Sequence, residues 1–448
     1  MSHATAILDF AAGPHILPPQ VRADAQRLLA DTLAVGAAGA ASLDGQRVLR
    51  TLTSRFPVSQ RVDVEGPSLL RSAERKDGPS TGSGKGSVSA SDAAFHNGFA
   101  IHCLEWDAVH EPAVVHALST VVASLLAQSD QMGGSDPEEF LTALAVGVDI
   151  ASGIGLSATG PMSFFRPATA GVIGSALACA RLAGLHRARF ADVLGLAYSF
   201  AGGTMQAHVE GSVALPLQIG RAAQAAVMAV NLVAQGLDGP HDVFDGPFGY
   251  SKLIEPLDLA HYTATLGQVW RISEVSVKPY PSGRASHAVL GALAEVRASG
   301  RSIAGITAYV PPLIERLVGR PYRADMTPSW ARLCLPLLVA LMIRDGRIDP
   351  RRFTSVTFAD PEIQALAAMV ELRGDGNPDG NALSPQRLDL RYADGSSETV
   401  AIPATLGSPE APLSPAQAAA KYDLCRILAG ACDVRIFNDP LSYATEPQ

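Results

Sequence analysis

Of six successive helical segments, at 93–106, 113–131, 137–156, 168–183, 190–198 and 217–235, many are apolar on nearly every face. A helix without a polar face must be surrounded by other elements. These segments must therefore bury one another in a helical core. The charge content agrees, since only 17% of the 448 residues are charged. An earlier pattern, opened by Pro18-Pro19 and running to residue 37, places Val21, Ala25, Leu28, Leu29 and Leu33 on one face. Residues 59–90, polar and rich in Gly and Ser, read as a long loop.

After Trp270 the texture changes. Runs at 272–277, 305–309, 355–358, 388–392 and 398–402 have strand character, with helices expected at 284–299, 329–344 and 361–371. Residues 415–431 return to helix. The expected fold class is mainly α. A large all-helical domain is built from both chain ends (1–267 and 406–448), with a smaller α+β domain inserted at 268–405. A cleft between such bodies is a common small-molecule site.

Several functions are excluded. A net charge of −8 offers no basic field to nucleic acid, so an anionic substrate needs local cations. Five cysteines without a C-x-x-C pair argue against disulfides, structural zinc and iron–sulfur clusters. No basic segment followed by an apolar core marks a signal peptide, and apolar runs such as 333–343 are short for a bilayer. A cytoplasmic protein without membrane contact is expected, and Ala- and Leu-rich helices with few charges predict a homodimer. Gly78-Pro-Ser80-Thr-Gly82 matches a serine-nucleophile string but lacks a preceding apolar strand. Gly82-Ser-Gly84-Lys85-Gly86 lacks the spacing of a phosphate loop. His110 and His116 stand six apart with Pro112 between them, so they share no helical face for zinc.

Two stretches carry chemistry. Lys278-Pro-Tyr280-Pro-Ser-Gly283-Arg284, with His287 three residues on, presents an ammonium, a guanidinium and an imidazole on a proline-stiffened loop. Asn97-Gly98-Phe-Ala-Ile-His102-Cys-Leu-Glu105-Trp-Asp107 leads through His110-Glu111-Pro112 to His116. An apolar helix rarely ends among so many ionisable groups, because each is costly to bury unpaired. One reading is capping and pairing of Glu105 and Asp107 with the histidines. The other is a proton-handling site, since imidazole titrates near neutrality and a carboxylate holds its tautomer.

The second stretch resembles the first motif of the MmgE/PrpD family. Ser163-Phe-Phe-Arg166-Pro-Ala-Thr169, Gly211-Ser212-Val-Ala-Leu215-Pro-Leu217-Gln218, Lys278 to His287, and Ala331-Arg332-Leu333-Cys334 resemble further motifs, in order. The resemblance implies a cofactor-free helical domain with an α+β lid. It also shows departures. Arg166 stands where dehydratase and decarboxylase branches have histidine, Leu215 and Gln218 where they have lysine and histidine, and Glu105 where aspartate is usual. The decarboxylase pattern has histidine at Gly283 and tyrosine at Leu337. A leucine at 215 can neither protonate a leaving hydroxyl nor bind a carboxylate.

These residues imply removal of a proton next to a carboxylate, with His116 and Lys278 as the two catalytic bases. Arg166 and Arg284 are expected to grip carboxylates, with Glu105, Asp107, His110, Gln218, Tyr280 and His287 also binding substrate. The implied activity is a cofactor- and metal-independent epimerase of an aminopolycarboxylate, closest to the iminodisuccinate epimerase branch. A dehydratase-like or aconitate-type lyase or isomerase of a small polycarboxylate is the alternative, and an inactive scaffold a third.

Overall fold

The computed structural model describes residues 2–53, 88–379 and 382–447. The 59–90 loop and both glycine-rich strings at 78–86 fall wholly or mainly outside the described residues. The helices Pro19–Ala41, Ala90–His102, Ala117–Gln131, Pro137–Leu156, Arg166–Leu182 and Ala214–Ala234 share one apolar core. Small residues set its spacing. A Cβ on Gly98 would lie 3.0 Å from Gly220 Cα, and one on Gly220 would lie 2.4 Å from Phe95 O. Only glycines let these two helices approach so closely. Ala429, Ile436, Tyr443 and Ala444 join this core, so the chain's last helices pack with its first.

A second apolar cluster runs from Ala285 to Ile402. It holds a four-stranded sheet, β1 (Ile303–Val310), β2 (Val370–Gly374), β3 (Gln386–Tyr392) and β4 (Ser397–Ile402), ordered β2-β1-β3-β4. β1 pairs parallel with β2, placing Ile306 opposite Val370, and antiparallel with β3. Leu388, Leu390 and Tyr392 of β3 turn inward at period two, as an amphipathic strand requires.

Three local expectations are corrected. Residues 272–277 form no ladder strand. Arg271–Glu274 is a 3₁₀ turn, because Arg271 N–H donates to Asp149 Oδ2 at 3.0 Å and its guanidinium contacts the same carboxylate. Ser355–Phe358 is a helical turn capped by Thr354, whose Oγ1 accepts from Thr357 N–H at 3.4 Å. The helix expected to 371 ends at Ala367, and Val370–Gly374 becomes β2 through pairing with β1. Two helices, Pro137–Leu156 and Ala214–Ala234, are long and apolar enough to cross a bilayer, beyond what uninterrupted apolar runs suggested. Of the first helix's apolar window, 89% is buried in the fold, where this composition serves packing.

Candidate active site

The site forms where the Ala90–His102 helix stops. Glu105 takes a left-handed backbone (φ 55°), turning the chain sharply. Val109 and Ser276 then exchange backbone hydrogen bonds of 3.0 and 2.9 Å, tying this turn to the segment before Lys278. A tight reversal follows, with His110 and Val115 paired and Val114 at φ 53°, which costs a β-branched residue roughly 1–3 kcal/mol. The helix expected from 113 therefore begins at Ala117, and His116 stands at its N-cap.

Asp107 is the hub. His102 Nδ1 lies 2.9 Å from its Oδ2, and Ser119 Oγ donates to the same oxygen. His116 Nδ1 is also 2.9 Å from Oδ2, in ion-pair contact without hydrogen-bond alignment. The two imidazoles meet edge to face with centroids 4.8 Å apart. Lys278 Nζ donates to Glu105 O at 3.0 Å, and lies 3.3 Å from Glu105 Oε2 and 3.8 Å from Asp107 Oδ1. Burial alone would raise both carboxyls. Instead His102, His116 and Lys278 hold Asp107 well below the usual range, and His102 and Lys278 bring Glu105 to about 2. Burial depresses His116 despite Asp107, whereas at His102 the two carboxylates outweigh burial and raise it.

A cavity of about 660 Å³ of empty space, mouth included, opens on this cluster. His102, Glu105, Glu111, His116, His208 and Arg284 supply its polar lining, while Met162, Phe165, Met205, Leu215 and Leu333 are among its apolar walls. Of the predicted site residues, His116, Glu105 and Arg284 reach the cavity, with Asp107 directly behind.

The others have different placements. Lys278 is fully buried behind Glu105 and does not line the cavity. Arg166 does not present to it either, because its guanidinium is bound by Glu255 at 2.5 and 2.9 Å and both side chains are 3% exposed. His110 is held within the reversal, with Nε2 2.9 Å from Glu274 Oε2 and Nδ1 accepting from Ala113 N–H at 3.2 Å. His287 contacts Ser282 Oγ at 3.1 Å, with Tyr280 edge-on to its ring. Gln218 donates to Thr204 O at 3.2 Å. Arg284 reaches the cavity while paired with Glu111 at 2.7 and 2.9 Å.

Beside Glu111, which was quoted in a motif but given no role, two cavity imidazoles were missed. His102 belonged to a recognised motif without being assigned a role, and His208 sits on the five-residue helix Gln206–Glu210, too short to show a period. The sequence departures have steric counterparts. A Cβ at Gly283 would lie 2.3 Å from Leu333 Cδ2, so a histidine there requires Leu333 to move. Leu337 is buried in the second apolar cluster. His102, Asp107 and His116 bring ligand-type atoms within 4.8 Å of one another, a set that could hold a metal ion. Both Nδ1 atoms already face Asp107, so ligation through them would replace those contacts.

The buried histidines predict how stability follows pH. Burial lowers His96 and His208 to about 4 and depresses His116 and His287. The unfolded chain binds protons near 6.5 that these rings refuse when folded, so their contribution is present above 6.5 and lost as pH falls. Each removes up to about 1.4 kcal/mol per pH unit within its window. Asp149, raised by burial to about 6, works oppositely, as does His102. His102 acts only above 6.5, so between pH 6.5 and 4 the lowered histidines outnumber Asp149; the melting temperature should drop there, and H208N should flatten that drop. A melting temperature that rises on acidification through this window would contradict the assignment.

Comparison with known proteins follows this layout. The MmgE/PrpD N-terminal domain matches residues 6–259 and the MmgE/PrpD C-terminal domain residues 280–429. Human cis-aconitate decarboxylase is 29% identical over 333 residues, covering 68% of this chain and 66% of that enzyme. The mouse cis-aconitate decarboxylase is 25% identical over 67% of this chain and 63% of its own length. The Aspergillus terreus cis-aconitate decarboxylase is 24% identical over 75% and 74%. The alignments thus span just under two thirds of the mammalian enzymes. With both domain models matched across most of its length, the chain belongs to the MmgE/PrpD family.

Proposed function

We propose that this chain, as a cytoplasmic homodimer, is a cofactor-independent isomerase that moves a proton at a carbon next to a carboxylate. The substrate class is an aminopolycarboxylate such as iminodisuccinate. The observation that carries this reading is Asp107 set between two imidazoles, His102 and His116, both of which line the cavity. His116, depressed by burial, is neutral at neutral pH and so able to accept a proton. The C–H electron pair passes into the carboxylate as an enediolate, and Asp107 stabilises the imidazolium that forms. Return of a proton to the other face inverts the carbon. His208, the third imidazole of the cavity beside His102 and His116, is the candidate second proton carrier in place of the buried Lys278; burial lowers it to about 4, so it is neutral and relays to the carbon a proton taken from water.

The second reading, a polycarboxylate lyase or decarboxylase, is favoured by the names of the relatives. One experiment separates them: incubation with di- and tricarboxylates in heavy water after dialysis against chelator. The epimerase reading expects α-deuterium incorporation without net loss of substrate. An ultraviolet-absorbing alkene marks a dehydratase and released carbon dioxide a decarboxylase, and neither exchange nor product would leave a scaffold. Activity lost to chelator and restored by a divalent ion would replace the metal-free scheme.

A further inference from the structure

Five arginines are buried among the described residues, and three are answered by a carboxylate: Arg166 by Glu255, Arg271 by Asp149 and Arg284 by Glu111. Arg320 and Arg332 are not. Neither has a carboxylate oxygen within 4.0 Å among the described residues. Arg320 donates to the carbonyls of Ser329 and His208, and its guanidinium lies 5.0 Å from the Trp330 ring. Arg332 sits 5.4 Å from the Phe353 ring, and its Nε is buried without a hydrogen-bond partner. Burial lowers both groups, Arg320 to about 10.

Both arginines line a small pocket of about 280 Å³ of empty space, open mouth included, which shares His102, Glu105, Leu215 and Leu333 with the main one. Gly211 permits the approach. It takes φ 65°, and a Cβ there would stand 3.0 Å from Arg320 Nη1. A buried cation answered only at a distance, as both are here by Glu105, is unfavourable, and a planar guanidinium matches a carboxylate bidentately. Leu215, where the resemblance has lysine, lines both cavities, so any cation for this end must come from another element.

We propose that Arg332, with Arg320 beside it, binds a carboxylate of the substrate remote from the reacting carbon, selecting di- and tricarboxylates over monocarboxylates. This rests on the polycarboxylate reading of the same site. The test is thermal shift and calorimetry of the intact protein with citrate and succinate at constant ionic strength, with acetate as control. Wild type should be stabilised by citrate or succinate and not by acetate. R332Q should bind at least tenfold more weakly, while its ligand-free melting temperature does not fall, because a buried charge answered only at a distance has gone. R332K, keeping charge without the planar fork, should bind severalfold more weakly and serves if R332Q does not fold. Wild-type affinity in either variant, or no stabilisation of wild type by either anion, overturns the proposal. Anion binding that depends on Arg332, without deuterium exchange into any substrate, would retain this subsite and remove the proton-transfer function.

Discussion

H116N should reduce turnover by about 10²–10⁴-fold, the usual contribution of a positioned general base, while leaving the protein folded. The asymmetry follows from how the ring is held. Its side chain is 13% exposed and lines the cavity, and its Nδ1 meets Asp107 without an aligned hydrogen bond. The fold depends little on this contact, since Asp107 keeps His102 and Ser119. The measurement is the exchange rate in heavy water alongside a thermal melt. An H116N protein that loses its cooperative melt would show a structural histidine, and one that keeps more than about a tenth of the rate would remove His116 as base.

K278M is expected to fail differently. Lys278 has no outlet to the cavity, and its ammonium faces the Glu105 carbonyl, the Glu105 carboxylate and Asp107. Removing one partner of a buried ionic group leaves the others desolvated and unanswered, at a cost of about 3–5 kcal/mol. Repulsion between Glu105 and Asp107 would then disturb the turn that carries both. Stability and turnover should fall together, read as a lower denaturant midpoint and a lost exchange rate. K278R, which keeps the charge, should recover much of the midpoint. Loss of rate at an unchanged midpoint would mark Lys278 as a proton carrier; wild-type stability and rate together would refute both roles.

The helical core was legible because its cause is local: a segment with no polar face has no way to remain at the surface. The α+β segment was harder. Residues 272–277 have β-branched character, but Asp149, more than a hundred positions earlier, bends their start into a turn. Residues 370–374 gain strand form only through β1. In the site, the 97–116 motif named residues that the structure gathers round one turn. Order along the chain does not reveal that residues 102 and 116 face one carboxylate. Arg166 looked like a free cation because Glu255, its answering group, lies 89 positions away. His208 carried no periodic signal at all.

The paired backbone bonds between Val109 and Ser276 have a further consequence. Immediately beyond, Val277 N–H donates to Gly407 O at 2.9 Å, and a Cβ on Gly407 would lie 2.0 Å from Val277 O. Three stations of the chain, separated by well over a hundred residues each, are thus laced edge to edge beneath the Asp107 hub. Loop closure over such separations is slow and entropically costly. During synthesis the helices can collapse early, but this lacing cannot close until residue 407 has been delivered. A piece of the chain ending sooner lacks the third of these stations, and its Asp107 turn should be held less firmly.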